Sequence, residues 1–214
     1  MADISPFDLT GRVALVTGAA KRVGAVIATE LAEAGVRVAV HCHRSHKAAA
    51  ELVARLPGEA RAFVADLEDP VASRRLVDEV VAWAGRLDVL TNNAAAFRRV
   101  PFVGGPDAEW EEAWREALEV NLLAPARLAR AAAPALAVTH GVVVNILDLA
   151  AWQAWPSYAH YGASKAGLAW LTSSPKTLAM AEAQPGLSLW LASNWPGRSR
   201  LAWICMPRSS TLAK

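Results

Sequence analysis

Tyr161 and Lys165 stand four residues apart in the run Tyr161-Gly162-Ala163-Ser164-Lys165. On a helix that spacing puts both side chains on one face. An ammonium beside a phenol favours the phenolate, lowers the tyrosine pKa and makes Tyr161 a proton donor near neutral pH. Asp148 closes one apolar run of the chain and Asn92-Asn93-Ala94 closes another, as residues at the ends of buried strands would. Asn121 sits inside an apolar helical stretch, where an amide has to find hydrogen-bond partners. Each residue alone reads as a cap or a surface group. In the order Asn121, Asp148, Tyr161 and Lys165 along the chain, they form a candidate catalytic set.

A second set lies near the N-terminus, in Thr17-Gly18-Ala19-Ala20-Lys21-Arg22-Val23-Gly24 between a strand and a helix. Small residues there let the backbone approach a pyrophosphate, and the helix start offers free N–H groups and a partial positive charge. Gly18, Lys21, Arg22, Val23 and Gly24 are the candidate contacts. Arg22 occupies a position where glycine is common, and its guanidinium suits phosphate oxygens. The next strand ends in His41-Cys42-His43-Arg44-Ser45-His46, without the acid that usually holds a ribose 2′-hydroxyl. His43, Arg44 and Ser45 offer donors to a 2′-phosphate, so the expected cofactor is NADPH rather than NADH. A solvated basic loop is the alternative. A metal site is not expected, because alternate strand residues face opposite ways and a fourth ligand is missing.

These groups need elements to hold them. Arg12 to Thr17 predicts a first strand, followed by a helix with Ile27, Leu31 and Ala34 on one face and Gly35 as its stop. Val36–Val40, Ala60–Ala65, Leu87–Leu90 and Gly141–Leu147 read as further strands. Ala48–Leu56, a run carrying Leu76, Val77, Val80, Val81 and Ala84, and Ser157–Leu171 read as helices. A long helix is expected over about Asp107 to Ala133, bent where Pro125 falls. Such alternation argues an α/β protein with a Rossmann-type, doubly wound parallel sheet flanked by helices.

The 214 residues suit one large domain. Hydrophobic residues make up 54% and charged ones 20%, which excludes general disorder. A net charge of +2, with Lys and Arg scattered, argues against a nucleic-acid binder. Cys42 and Cys205 form no motif, no apolar run approaches the roughly 20 residues of a membrane helix, and the N-terminus has no apolar signal core. A cytoplasmic, membrane-free protein acting on a small molecule is expected.

Composition changes near residue 170. From Leu171 to Lys214 there is no valine, against 21 before it, and a single acidic residue, Glu182. Residues 1–170 therefore read as the dinucleotide-binding and catalytic part, and 171–214 as an atypical segment of the same domain. One strand, Leu187–Ala192, is expected there. The tail is either a divergent segment or one foreign to the fold, such as a frame change in the coding sequence would produce.

The glycine loop, Asp66, Asn92-Asn93-Ala94, Asn121 and Tyr161-xxx-Lys165 together resemble the short-chain dehydrogenases/reductases over about residues 9 to 172. The resemblance implies that Tyr161 donates the proton, and that Lys165 binds the nicotinamide ribose and tunes the tyrosine. Asn121 would hold a water of the proton relay, and Asp66 would contact adenine with Leu67 beside it. Asn93 and Ala94 would flank the cofactor. Homodimers or homotetramers are implied, built on helices such as 109–133 and 157–171, with Trp110 and Trp114 serving that face or the core.

Two departures narrow the likeness. Asp148 stands where the family usually has serine, and Arg22 stands in the glycine loop; with His43-Arg44-Ser45 these resemble the pteridine reductases. Phe97 then matches an aromatic ring that stacks a pterin against nicotinamide, with Ala95 beside it. A carboxylate repels the developing oxyanion of a ketone but suits a pterin, whose ring nitrogen must gain a proton; Asp148 would hold that proton jointly with Tyr161, and its charge would raise the tyrosine pKa against Lys165. The alternatives are a ketone or 3-oxoacyl reductase, and an inactive cofactor-binding chain.

Overall fold

The computed structural model describes residues 9–173, together with the backbone of Ser188–Ser193 and Ala202–Ile204. The elements are β1 (Val13–Val16), α1 (Arg22–Glu33), β2 (Arg37–Cys42), α2 (His46–Val53), β3 (Ala60–Val64), α3 (Pro70–Ala84), β4 (Val89–Asn92), α4 (Asp107–Leu118), α5 (Ala124–Thr139), β5 (Val142–Leu147), α6 (Ala159–Ser173), β6 (Ser188–Ser193) and β7 (Ala202–Ile204). They build one sheet in the order β3-β2-β1-β4-β5-β6-β7. Every pairing from β3 through β6 is parallel, and β7 runs antiparallel to β6. This is the Rossmann-type fold that the alternation implied. Its strand order reverses between β1 and β4, so the carboxyl ends of these strands open a crevice for a ligand.

Two apolar layers cover the sheet. Leu15 and Leu90 meet Leu76 and Val80 of α3 and Leu128 and Leu136 of α5 on one face. Val16, Val38 and Val40 meet Ala28 and Ala32 of α1 and Leu52 of α2 on the other. Burying a leucine of this kind fully contributes about 1.5–3 kcal/mol. α1 corrects one expectation. Its buried face is Gly24, Ala28 and Ala32, whereas Ile27 and Leu31 are half-buried and Ala34 is exposed. The small residues recur at i, i+4 and bring the helix backbone close to the strands. At Gly24 a Cβ would sit 2.5 Å from both Asn93 Nδ2 and the Gly18 carbonyl.

The long helix expected over 107–133 is two helices joined by a π-turn at Glu119–Leu123. Pro125 contributes by lacking an N–H for the Asn121 carbonyl four residues back. The irregularity nevertheless centres on Asn121 rather than on Pro125, which lies in the first turn of α5. α3 starts as a capped helix should: the Asp69 carboxylate accepts from the Val71 N–H at 2.8 Å, and Pro70 follows the cap.

At the amino ends of β1 and β4 lies a buried carboxylate, Asp88. It accepts from the Val13 N–H at 2.9 Å, from Arg12 at 3.1 Å and from Arg86 at 2.6 and 2.8 Å. Next to the β7 edge of the sheet, β6 pairs with β5 from Val142↔Ser188 to Leu147↔Ser193. The strand expected at Leu187–Ala192 is thus found one residue later, while the remaining tail readings lie outside the described residues. Among the described residues no helix is long and apolar enough to cross a membrane.

Candidate active site

A cleft of about 530 Å³ runs along the carboxyl ends of the strands. Gly18, Lys21, Arg22, Val23 and Gly24 line one end, with His41, His43, Asp66 and Leu67 beside them. Asn93, Ala94, Ala95 and Phe97 form the middle, and Asp148, Tyr161 and Lys165 close the other end. Most of the residues singled out from the sequence therefore meet in one place. Three do not. Arg44 and Ser45 are not among the lining residues: β2 ends at Cys42, and Ser45 stands at the N-cap position of α2. Asn121 is fully buried and does not line the cleft either.

The chemical groups are brought together by β5 and α6. Asp148 follows the last residue of β5, and one of its oxygens accepts from the Ala150 N–H at 2.9 Å. Its other oxygen accepts from the Tyr161 hydroxyl at 3.1 Å. One turn on, Lys165 donates to the Ile146 carbonyl at 2.8 Å, and its ammonium lies 5.8 Å from the centre of the Tyr161 ring. Of the two opposed influences expected on the tyrosine, the acidifying lysine and the Asp148 charge that works against it, the second prevails. Burial, followed by the charge and hydrogen bond of Asp148, pushes the phenol well above its ordinary value. Burial also holds the Lys165 ammonium down at about 8, partly opposed by Asp148.

Asn121 acts through a loop instead of touching the cleft. Its Oδ1 accepts from the Ala96 N–H at 2.7 Å, and its Nδ2 donates to the Ala96 carbonyl and to Ser164 Oγ, both at 3.0 Å. Both amide protons are used in these bonds, so the group of Asn121 left to serve a relay water is its main-chain carbonyl, which Pro125 deprives of a helical N–H. Ser164 Oγ in turn donates to the Tyr161 carbonyl at 2.7 Å. His160 ties Arg98 to α6 through an Nε2 contact of 3.0 Å to the Arg98 carbonyl. Phe97 is held between these anchors. Its ring stacks on Tyr158 with centroids 4.5 Å apart and meets Tyr161 at 4.8 Å and 76°. One face of Phe97 is therefore already covered. Trp110 and Trp114 pack on each other at 5.3 Å, with Phe102 and His160 against them.

At the opposite end the loop backbone is closely packed. Gly18 has φ +61°, and a Cβ there would come 2.9 Å from the Cα of Ala94. Asn93 braces the loop by donating to the carbonyls of Thr17 and Gly18 at 2.8 and 3.2 Å. Arg22 is one of two non-glycine residues among those described with positive φ, at 54°. His43 pairs with Asp66 at 3.6 Å. Sequence reasoning missed His41, Ser164 and His160. The available signal for His41 was a lone imidazole in an otherwise apolar strand; Ser164 was legible only as one residue inside the Tyr161-xxx-Lys165 run.

The model of the family described as short chain dehydrogenase matches residues 12–187. A 3-oxoacyl-acyl-carrier-protein reductase of rhamnolipid biosynthesis from Pseudomonas aeruginosa is 34% identical over 170 residues, covering 76% of this chain and 64% of that protein. A short chain dehydrogenase of Burkholderia cenocepacia solved with NADP superposes with TM-score 0.76 at 33% identity, over 85% of this chain and 72% of that one. A metagenomic short-chain oxidoreductase, also solved with NADP, gives TM-score 0.74 at 35% identity over 87% and 83%. This chain spans 62–64% of the length of several curated relatives. A family match across most of the chain, a phosphate-type loop at one end of the cleft and a tyrosine–lysine helix at the other lead to one conclusion: the chain belongs to the short-chain dehydrogenase family.

Proposed function

We propose that the chain is an NADPH-dependent reductase whose substrate carries a basic nitrogen at the reacting bond, with a dihydropterin as the specific candidate. The carrying observation is the 3.1 Å hydrogen bond from Tyr161 to Asp148. Gly18, Lys21, Arg22, Val23 and Gly24 would hold the pyrophosphate and 2′-phosphate end, with His43 near it. Asp66 and Leu67 would flank adenine, and Asn93, Ala94 and Lys165 the nicotinamide ribose. Bound there, the reduced nicotinamide supplies a hydride to carbon. Tyr161 would supply the proton to the neighbouring nitrogen, and Asp148, which accepts the Tyr161 hydroxyl, would share that proton and pass on its replacement from solvent. The raised phenol pKa makes Tyr161 alone a reluctant donor, which is the reason to assign the carboxyl a share of the proton. Phe97 and Ala95 would form the wall against which a flat ring rests. A homodimer or homotetramer and a cytoplasmic location complete the proposal.

The printed function of the Pseudomonas relative supports a second reading, a 3-oxoacyl reductase. There Asp148 opposes the oxyanion, and its replacement by serine relieves the repulsion. NADPH oxidation by wild type and Asp148→Ser, each with a dihydropterin and with a 3-oxoacyl thioester, separates the two. The pterin reading expects wild-type turnover of dihydropterin and a fall of about 10²–10⁴ in the variant. Turnover of the thioester alone, raised by the variant, overturns it.

A further inference from the structure

His41 lies in β2, 1% exposed, inside the sheet rather than in the cleft's chemistry. Its ring joins two places. The Gly18 N–H meets Nδ1 at 3.1 Å, and Nε2 meets the Ala65 carbonyl at 3.1 Å. Its main-chain carbonyl also accepts from the Ala19 N–H at 2.9 Å. An N–H can bond only to an unprotonated ring nitrogen, and a carbonyl only to a protonated one. The imidazole is therefore neutral, with its proton on Nε2.

We propose that His41 is a positioning residue for the nucleotide site: this one tautomer fixes the glycine loop to the ends of β2 and β3 and so sets where the Lys21–Gly24 turn meets a phosphate. The proposal rests on the reading that the cleft takes a nicotinamide dinucleotide. Two consecutive loop amides, those of Gly18 and Ala19, are spent on His41. Phosphate binding thus falls to the residues that follow them, Lys21 to Gly24. Gly18 is held from two other sides, by Asn93 on its carbonyl and by Ala94 against its Cα. The amide bond to His41 supplies the remaining restraint. Burial keeps the ring neutral, with its pKa near 4 in spite of the Ala65 carbonyl.

Two isosteres separate this role from mere core filling. In His41→Asn the amide oxygen reaches the place of Nδ1 and keeps an acceptor for Gly18. In His41→Gln the amide nitrogen reaches the place of Nε2 and keeps the tie to Ala65, while Gly18 loses its acceptor. NADPH titration by fluorescence should find the Asn variant within about threefold of wild type and the Gln variant weakened about tenfold or more. KM for NADPH should move more than kcat. Thermal unfolding identifies the folded variants, and His41→Leu, if folded, should bind like the Gln variant. Equal affinity of the Asn and Gln variants, or tighter binding by Gln, overturns the proposal. Hydrogen exchange without nucleotide gives an independent readout: the Gly18 amide should be protected in wild type and in the Asn variant and exchange faster in the Gln variant. An unprotected Gly18 in wild type also overturns it. Wild type with a protected Gly18 that binds neither NADPH nor NADH instead overturns the nucleotide reading.

Discussion

Arg22 adopts the left-handed backbone region that costs a residue with a Cβ on the order of 1 kcal/mol. The fold would be better served there by glycine, and the guanidinium lines the cleft. Arg22→Gly should therefore raise stability by about 1 kcal/mol while raising KM for NADPH about tenfold, with KM for NADH changing less. Denaturant melts and paired cofactor kinetics check both halves; a variant with unchanged NADPH kinetics would remove Arg22 from the site. Lys165 gives a second expectation. Its pKa of about 8 in the fold lies below the value of about 10.4 of an unfolded lysine. Between those values the folded chain binds fewer protons, so the group's contribution to stability rises with pH across that window. Lys165→Met should abolish this rise in urea denaturation carried out from about pH 8 to 10.4. The groups themselves were readable from residue type and spacing, because i, i+4 on a helix and the end of a strand are local rules. Their protonation was not. The sequence set Lys165 and Asp148 against each other at Tyr161, but only burial and the carboxylate oxygen at 3.1 Å decide which way the phenol moves.

At the scale of elements, the π-turn does what an unbroken helix would not. It places Asn121 so that one side chain satisfies both the N–H and the carbonyl of Ala96 and reaches Ser164 on α6. Asn121→Ala leaves the half-buried Ala96 groups and the buried Ser164 Oγ without this partner and should cost about 1–3 kcal/mol. Faster hydrogen exchange at Ala96 and a higher KM for an aromatic substrate should accompany the loss. An Ala variant with wild-type exchange at Ala96 would show that the loop is held by the His160 contact to the Arg98 carbonyl and by the Val100 N–H, which donates to the Ser157 carbonyl at 2.9 Å. The strands and helices were legible because their apolar periods are local. The small-residue face of α1 was not: Ile27 and Leu31 attract the eye, yet the distance between helix and sheet is set by Gly24, Ala28 and Ala32, and hence by contacts across layers.

Across the whole molecule, the sheet carries two polar centres at its opposite edges. The cleft groups lie beyond the carboxyl ends of the strands, and Asp88 with Arg12 and Arg86 lies at the amino ends. Although burial works against the Asp88 charge, the bonds from Arg86, the Val13 N–H and Arg12 hold its carboxyl below the usual range. A depressed carboxylate contributes stability that is present above about pH 3.9 and is lost as pH falls through its folded value. Asp88→Asn should lower stability by about 1–3 kcal/mol near neutral pH and flatten the acid limb of the stability curve. KM for NADPH should stay at its wild-type value, and a large change in it would show that the two edges communicate.

The parallel strands thus act as stiff spacers between an anchor and a workplace. Remodelling of the catalytic rim can proceed without disturbing what keeps the sheet assembled, and reinforcement of the Asp88 cluster can be used to offset destabilising changes made for selectivity.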